Sequence, residues 1–354
     1  MDHYPARYWK MLSNGKIRCE LCPHFCKMSD GQRGLCFVRQ RHGGQLRQMT
    51  YGRSSGFCID PVEKKPLNHF YPNTPILSFG TAGCNLSCKF CQNWDISRAG
   101  EFDRLTAQAL PAEIAQAALD HQCKSVALTY NDPIIYIEYG RDVAIECQKL
   151  GIHVVAVTSG YINDKARKEF FSFINAANVD LKAFSPSFYQ ELTGGELQTV
   201  LDSLVYIRHK TKVWLEITTL LIPGENDSPS ELNKLAEWIM GELGPDTPIH
   251  FSAFHPDYKM THLPLTPLNT LIMARDISME KGLRYVYTGN VHYPPGDTTF
   301  CPKCNASVIE RDWYQLSAYH LTPEGKCNHC FEPIVGHFDI RPGNWGAKRK
   351  PIRI

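Results

Sequence analysis

The sequence predicts an α/β protein built on a parallel sheet with helices packed outside it. From residue 76 to residue 290, short apolar segments alternate with segments whose apolar residues recur at helical spacing. Apolar runs of this length are typical of strands that are buried on both faces, as in parallel sheets. The polar motifs of the region follow predicted strands, where a parallel barrel carries its functional residues. We therefore expect an open or complete α/β barrel rather than a β-sandwich.

Seven strands and six helices are predicted in this region. The strands span residues 76–80, 125–130, 153–160, 178–184, 212–224, 249–254 and 284–290. The helices span residues 110–122, 133–151, 164–176, 198–210, 228–243 and 267–282. Pro111 stands near the start of the first helix, and Gly151 closes the second. Ser228 or Ser230, with Glu231 one turn further on, caps the fifth. The other elements are predicted from their apolar pattern alone.

The cysteine-rich ends of the chain predict two small modules beside the barrel. We expect an N-terminal metal-binding module at residues 1–70, the barrel at residues 71–293, and a C-terminal zinc-ribbon-like module with a basic tail at residues 294–354. The stretch "YPPGDTTFCPKC" is rich in Pro and Gly and predicts a hinge into the last module. The tail "RPGNWGAKRKPIRI" shows little helix or strand character.

Composition and charge narrow the class of protein. The 354 residues are 43% hydrophobic and 21% charged, as in globular proteins. The start lacks the apolar region of a signal peptide, and no apolar run reaches about 18 residues, so we expect a cytoplasmic protein without a membrane partner. The net charge of +2 gives no overall signal for nucleic acid. Residues 1–53 carry ten basic and three acidic side chains, a net +7. This segment is either solvated surface or a docking face for an acidic protein, with Arg33 and Arg39 on it.

Fourteen cysteines are many for a chain expected in a reducing compartment, so clustered cysteines are interpreted first as metal ligands. Three clusters contain eleven of them. The clusters are Cys19, Cys22, Cys26 and Cys36; Cys84, Cys88 and Cys91; and Cys301, Cys304, Cys327 and Cys330. The isolated Cys123 and Cys147 lie among apolar residues and are interpreted as packing groups, whereas Cys58 is ambiguous.

The middle cluster, in "TAGCNLSCKFCQNW", has the spacing C-x3-C-x2-C. A structural zinc requires four ligands and disulfides require pairs, so three thiols suit neither unless a distant side chain completes a zinc site. A [4Fe–4S] cluster on three thiolates keeps one iron open for a small chelating ligand. Gly83 permits the tight turn into the loop. The triad is therefore the predicted catalytic centre.

A family resemblance follows from these residues. "CNLSCKFC" resembles the C-x3-C-x-aromatic-C signature of radical SAM enzymes. The stretch "KKPLNHFYPNTPILSFGTAGCNLSCKFCQNWDIS" is similar to the radical SAM member of the AmmeMemoRadiSam systems, a relative of pyruvate formate-lyase activating enzyme. The likeness extends to "CELCPHFCKMSDGQRGLCFVR", "LTYNDP", "VDLKAF", "LIPGEND" and "YVYTGNV", and so covers most of the chain. It implies a partial (β/α)6-type radical SAM barrel and a [4Fe–4S] cluster on the triad. It also implies that S-adenosylmethionine (SAM) is cleaved to a 5′-deoxyadenosyl radical for hydrogen abstraction.

The resemblance also implies which residues contact SAM. Phe90 would offer a flat face to the adenine. Asn131 and Asp132 stand where the superfamily usually has Gly-Gly-Glu, which meets the SAM amino group; the glycines are absent here, and the pair also forms a good turn and helix cap. Ser159 lies where the activases have Asp-Thr-Asn-Gly. Because this chain begins that stretch with Val157, a cation site built on the missing acid is not expected.

Three further residues are implied at later strand ends. Asp180 and Lys182 match the Asp-Leu-Lys of the activases, in which the pair serves the SAM pocket; Lys182 could neutralise the SAM carboxylate. The two residues share one face of a strand and could instead form a structural ion pair. His255 matches a late histidine that contacts SAM in activases, or it is a loop residue satisfied by the backbone.

The two outer cysteine clusters predict metal sites of their own. The C-terminal pair of C-x2-C motifs indicates one tetrahedral zinc, although rubredoxin-type iron would use the same ligands. The N-terminal set suits zinc or a second iron–sulfur cluster, with His24 as a possible substitute ligand. We expect this module to be held by metal rather than by disulfides, and to pack near the barrel mouth.

Three functions remain open at this point. The leading hypothesis is a radical SAM enzyme that abstracts hydrogen from an unidentified substrate. A glycyl-radical-enzyme activase acting on a protein is the second, and a non-enzymatic metal-binding adaptor is the third. The expected partners are a reducing flavodoxin or ferredoxin, with Memo-like and AMMECR-like proteins of the same system as further candidates.

Overall fold

A computed structural model describes residues 4–98, 105 and 107–354. Its centre is a mostly parallel sheet of nine strands, which confirms the predicted α/β class. From one edge to the other, the strands are Val286–Gly289, Ile249–Ala253, Trp214–Leu221, Ala176–Asp180, His153–Thr158, Ser125–Leu128, Pro75–Phe79, Phe57–Pro61 and Lys350–Ile352. The first seven of these run parallel to their neighbours, so their carboxyl ends meet at one edge of the sheet.

Helices connect the parallel strands. The α-helices span Trp94–Ser97, Pro111–Asp120, Ile137–Lys149, Asp164–Phe170, Pro186–Phe188, Leu197–Lys210, Pro229–Glu242, Leu268–Glu280 and Pro294–Asp297. Single-turn helices of other types span Val62–Lys64, Pro133–Tyr136 and Tyr189–Thr193. Two start signals acted as predicted: Pro111 is the first residue of its helix, and the Ser228 hydroxyl accepts a hydrogen bond from the Glu231 N–H.

One predicted helix is shorter than expected. It ends at Phe170 rather than at residue 176, because the chain turns there to begin the next strand. Phe170 and Phe171 are both buried and pack edge to face, with ring centroids 5.1 Å apart. The Asn175 side chain then accepts a hydrogen bond from the Val154 N–H at 2.8 Å, which ties the turn to the neighbouring strand.

The tail of the chain corrects another expectation. It was predicted to have little strand character, but Lys350–Ile352 forms the outermost strand of the central sheet. This strand pairs antiparallel with Phe57–Pro61, where Lys350 stands opposite Ile59. The three residues of this strand show no alternating pattern of their own in the sequence, so only the partner strand decides this pairing.

Small antiparallel sheets flank the central one. On the N-terminal side their strands are Tyr4–Pro5, Trp9–Met11, Ile17–Cys19, Lys27–Met28, Arg39–His42, Gln45–Gln48, Arg53–Ser54 and Ala107–Gln108. On the C-terminal side they are Thr299–Phe300, Ser307–Asp312 and Gln315–Tyr319. Within the described residues, none of the helices has both the length and the apolar character needed to cross a membrane.

A buried ion pair joins the N-terminal sheets to the helix Ile137–Lys149. The Arg39 guanidinium contacts both carboxylate oxygens of Glu138, at 2.7 and 2.6 Å, and each side chain is 1% exposed. Arg39 also donates to the backbone carbonyls of Ile135 and Arg7. The expectation that Arg39 lies on a docking surface is therefore wrong: its charge is used internally.

We predict that Arg39→Met lowers the free energy of unfolding by about 3–5 kcal/mol, because Glu138 would remain charged and buried without a partner. The double variant Arg39→Met/Glu138→Met should lose less than the sum of the two single variants. Chemical denaturation measures both quantities. As a control, Lys149→Met removes the exposed pair with Glu146 and should cost about 0.5 kcal/mol or less. Equal losses in the buried and the exposed variant would contradict the role assigned to Arg39.

Candidate active site

A polar cavity of about 310 Å³ lies at the carboxyl ends of the parallel strands. Nine of the ten residues predicted for the catalytic triad and the SAM pocket line it. They are Cys84, Cys88, Phe90, Cys91, Asn131, Asp132, Ser159, Asp180 and Lys182. These residues come from four different strand ends, so the parallel sheet is what brings them together.

The loop that carries the three cysteines is held by Asn131. The Asn131 side-chain amide donates to the carbonyls of Gly83, at 2.8 Å, and Ala82, at 3.2 Å. Its oxygen accepts the N–H of Thr81 at 2.9 Å. Because Asn131 is 5% exposed, these bonds satisfy backbone groups that water cannot reach. Asn131 therefore positions the loop from the end of the neighbouring strand.

Asp132 has the helix-capping role that the sequence left open, and it also reaches the next strand. One carboxylate oxygen accepts from the Ile134 N–H at 3.1 Å and from the Thr158 hydroxyl at 2.9 Å. The other accepts from the Ser159 N–H at 2.9 Å and from the Ser159 hydroxyl. Burial raises the pKa of Asp132, while these donors act in the opposite direction.

Asp180 and Lys182 form the ion pair considered from the sequence, and both also line the cavity. The Lys182 ammonium lies 2.9 Å from an Asp180 carboxylate oxygen and 5.8 Å from the centre of the Phe90 ring. Burial would lower the pKa of Lys182, but the charge of Asp180 raises it overall. The cavity thus contains a fixed positive charge next to an aromatic face.

His255 is the predicted residue that does not join this group. It is exposed and does not line the cavity. The preceding Phe254 is fully buried, and its N–H donates to the Thr266 hydroxyl, so the next residue is turned outward. The expectation that His255 faces the cavity is corrected accordingly.

Several polar residues of the cavity were missed by the sequence analysis. Thr218, Ser252 and Asn290 line its far side, at or after the last three parallel strands. The Asn290 side chain donates to the Ala253 carbonyl at 3.0 Å. Of the three, only Asn290 directly follows an apolar strand, Val286–Gly289, and could have been identified from its sequence position; Thr218 and Ser252 lie inside their strands.

A buried polar cluster lies below the Thr218 and Ser252 side of the cavity. Its members Glu216 and His250 come two residues earlier on the same strands. Glu216 is fully buried and accepts hydrogen bonds from the His250 ring at 2.7 Å, from the Trp214 indole at 3.0 Å, and from the N–H of His69 at 2.8 Å. Burial alone would raise the pKa of Glu216, but His250 lowers it overall. Burial also lowers the pKa of His69 to about 4, so its ring is neutral at pH 7.

The C-terminal cysteines form a compact group. Their four sulfur atoms lie within 4.8 Å of one another, with Cys301 3.5 Å from Cys330 and Cys304 3.7 Å from Cys327. A tetrahedral zinc with bonds of about 2.3 Å would hold its thiolates about 3.8 Å apart. The group therefore has the dimensions of a single-ion site.

The N-terminal cysteines lie directly against the loop of the triad, which confirms the predicted packing. The His24 ring contacts the Asn85 carbonyl at 2.6 Å, next to Cys84. Gly83 has a positive φ of 80°, and a Cβ there would meet the Cys36 carbonyl oxygen at 2.0 Å. Only glycine allows the two backbones to approach this closely. All fourteen cysteines are unbridged in the structure.

Comparisons with known proteins show which proteins this chain resembles. The family model described as the radical SAM superfamily matches residues 79–239. An uncharacterized protein of Methanocaldococcus jannaschii is 38% identical over 330 residues, which cover 93% of this chain and 98% of that protein. The pyruvate formate-lyase-activating enzyme of Listeria monocytogenes is 25% identical over 166 residues, which cover 44% of this chain and 66% of the activating enzyme. A solved radical SAM methyltransferase from Sphaerobacter thermophilus aligns with 84% of this chain and 78% of its own, at 14% identity and a TM-score of 0.49.

We predict that Asn131→Leu lowers the free energy of unfolding by about 1–3 kcal/mol, because it leaves the carbonyls of Ala82 and Gly83 buried without a donor. The variant should also bind less iron after anaerobic reconstitution, since the cysteine loop loses its support. The matched control is Asn233→Leu, which removes an exposed amide that donates to the Pro229 carbonyl within one helix. If both variants bind as much iron as the unmodified protein, Asn131 does not position the loop.

Proposed function

Because this chain belongs to the radical SAM superfamily and is related to pyruvate formate-lyase-activating enzymes, we propose that it cleaves SAM at the Cys84, Cys88 and Cys91 triad. The cavity that these three thiols share with a fixed cation and an aromatic ring is the observation that carries the proposal. The family implies a [4Fe–4S] cluster and SAM, and the donor set fits: three soft thiol ligands face one cavity, which has space for a further ligand. When bound, that cluster supplies the electron that splits SAM into methionine and a 5′-deoxyadenosyl radical for hydrogen abstraction.

The side chains around the triad have separate tasks in this proposal. Lys182, held by Asp180, neutralises the carboxylate of the SAM methionine moiety as a point charge. Phe90 packs beside the adenine. Ser159 and Asp132 shape the pocket near the amino group, with Asp132 oriented by the hydroxyl of Thr158.

The architecture that suits this chemistry is a partial (β/α)6 barrel. Support comes from the open sheet, whose seven parallel strands deliver the triad and the SAM residues to one edge. We place the barrel at residues 71–293, between a cysteine-rich module at residues 1–70 and a second one at residues 294–354. The polar far side of the cavity, with Thr218, Ser252 and Asn290, is where the substrate would lie next to the SAM ribose.

The reaction could be hydrogen abstraction from a small molecule or from a glycine of a partner protein. The similarity to pyruvate formate-lyase-activating enzymes favours keeping the second alternative. The third alternative, a non-enzymatic adaptor, is set aside because the superfamily consists of enzymes. A reduced flavodoxin or ferredoxin is the proposed electron donor. Memo-like and AMMECR-like proteins remain predicted partners on the basis of the sequence resemblance.

We further propose that the C-terminal quartet binds one structural zinc. The distances between sulfur atoms support this proposal, because separations of 3.5 and 3.7 Å suit the ligands of one tetrahedral ion. The surrounding module has a small apolar core that includes Cys301, Cys327, Val308 and Ile309 and that is shared with Tyr285 and Tyr287 of the barrel. A metal ion would supply the stability that such a core lacks.

The proposed reaction predicts that the reconstituted, dithionite-reduced protein forms 5′-deoxyadenosine from SAM, and that Cys88→Ala reduces this product to background. Cys147→Ala is the control, since Cys147 is a fully buried packing residue in a helix away from the cavity. Chromatography of the nucleoside products measures both. Absence of 5′-deoxyadenosine with the unmodified protein, or equal amounts with Cys88→Ala, would exclude the reaction.

The zinc proposal predicts that elemental analysis of the full chain finds about one zinc that disappears in Cys304→Ala and in Cys327→Ala, while the iron content stays unchanged. Cys123→Ala, which alters an isolated buried cysteine, should keep the zinc. Iron in place of zinc at this quartet, or zinc that persists in both quartet variants, would contradict the assignment.

A further inference from the structure

The spacing of sulfur atoms separates the three cysteine groups into two kinds. Within the residues that the structure describes, only the C-terminal quartet brings three or more Cys, His, Asp or Glu ligand atoms within 4.8 Å of one another. The triad of Cys84, Cys88 and Cys91 is more widely spaced. An iron–sulfur cluster separates its thiolates by several iron atoms, whereas zinc holds all four on one ion. On the proposed function, the C-terminal quartet and the triad therefore serve as references for a zinc site and for a cluster site within one molecule.

The N-terminal quartet resembles the triad in this respect. Its four cysteines are not grouped within 4.8 Å, yet all four line one cavity of about 20 Å³. A single zinc ion about 2.3 Å from each sulfur would draw the four thiolates too close together to line a cavity of water size. Cys19 and Cys36 are buried, and Cys22 and Cys26 are partly buried, as expected for ligands that surround a bound cluster rather than face solvent.

We propose that Cys19, Cys22, Cys26 and Cys36 hold a second iron–sulfur cluster and not zinc. The charged environment fits four thiolates, because the buried Arg39 guanidinium lines the same cavity. The backbone also contributes a donor: the Leu35 N–H lies 3.4 Å from the sulfur of Cys26, a contact that stabilises a thiolate.

The position of this quartet indicates what the cluster does. Asn85 lines the N-terminal cavity and the preceding residue, Cys84, lines the active-site cavity, so consecutive residues of one loop reach the two sites. Phe25 and Leu35 also line the N-terminal cavity and are 42% and 52% exposed, so this cavity reaches the protein surface. The quartet thus lies between the protein surface and the triad.

This arrangement assigns the second cluster to electron transfer. An electron from a reduced flavodoxin or ferredoxin enters past Phe25 and Leu35 and leaves toward the triad, one in and one out, with no bond made or broken. Arg18, whose guanidinium lies 5.1 Å from the Phe25 ring, shares Glu20 with Lys10, so a net positive charge remains at this point for an acidic donor. The electron-carrying role rests on the proposed function of the triad, whereas the metal content of the quartet does not.

The test uses full-length protein reconstituted anaerobically with iron and sulfide. The triple variant Cys84→Ala/Cys88→Ala/Cys91→Ala should keep two or four iron atoms per chain, according to the cluster type, and an electron paramagnetic resonance signal on reduction. The variant Cys22→Ala/Cys26→Ala should lose that iron and that signal while keeping the iron of the triad. Cys147→Ala should match the unmodified protein in both.

A triple variant without iron but with a second zinc per chain would overturn the proposal. So would a Cys22→Ala/Cys26→Ala variant with unchanged iron content. The electron-transfer role has its own readout: this variant should form 5′-deoxyadenosine with dithionite but at least tenfold more slowly with reduced flavodoxin. If the unmodified protein forms no 5′-deoxyadenosine at all, the proposed function fails, while the iron count of the triple variant still decides the second cluster.

Discussion

The side-chain amide of Asn131 holds the backbone at the entry of the cysteine loop, and the rest of the site is built around that contact. It bonds three consecutive residues, Thr81, Ala82 and Gly83, at the point where the first parallel strand ends. A loop that must present three thiols to one cavity cannot provide its own regular hydrogen bonds, so a neighbouring element has to supply them. The adjacent Asp132 continues the same task toward the next strand, through Thr158 and Ser159. Two residues of one strand end thereby align three loops.

Much of the fold could be predicted, because the central strands carry their own signal. An apolar segment such as residues 125–130 is buried on both faces whatever it pairs with, and a cap such as Ser228 acts within four residues. The site was predictable for a related reason: in a parallel sheet every strand ends at the same edge, so Cys84, Asp132 and Lys182 had to converge there.

The incorrect predictions share a different cause: the position of each of these side chains depends on residues that are distant in sequence. Arginine usually lies on the surface, and Arg39 is buried only because Glu138, far along the chain, pairs with it. His255 follows a strand as the other site residues do, but the bond between Phe254 and Thr266 turns it outward. The metal of the N-terminal quartet could not be chosen from spacing in sequence either, since zinc and iron–sulfur sites differ in the distances between sulfur atoms. Only the folded structure gives those distances, in a module that packs against Gly83 and Asn85.

The outermost strand of the central sheet has a consequence for how the protein folds. Lys350–Ile352 covers the free edge of Phe57–Pro61, and almost the whole chain separates these two strands in sequence. Contacts between residues so far apart in sequence form late, because the loop between them must close first. Until then the edge presents unpaired N–H and C=O groups, which can recruit a strand from another molecule. Refolding at high protein concentration therefore becomes a competition between docking of the tail and self-association along this edge.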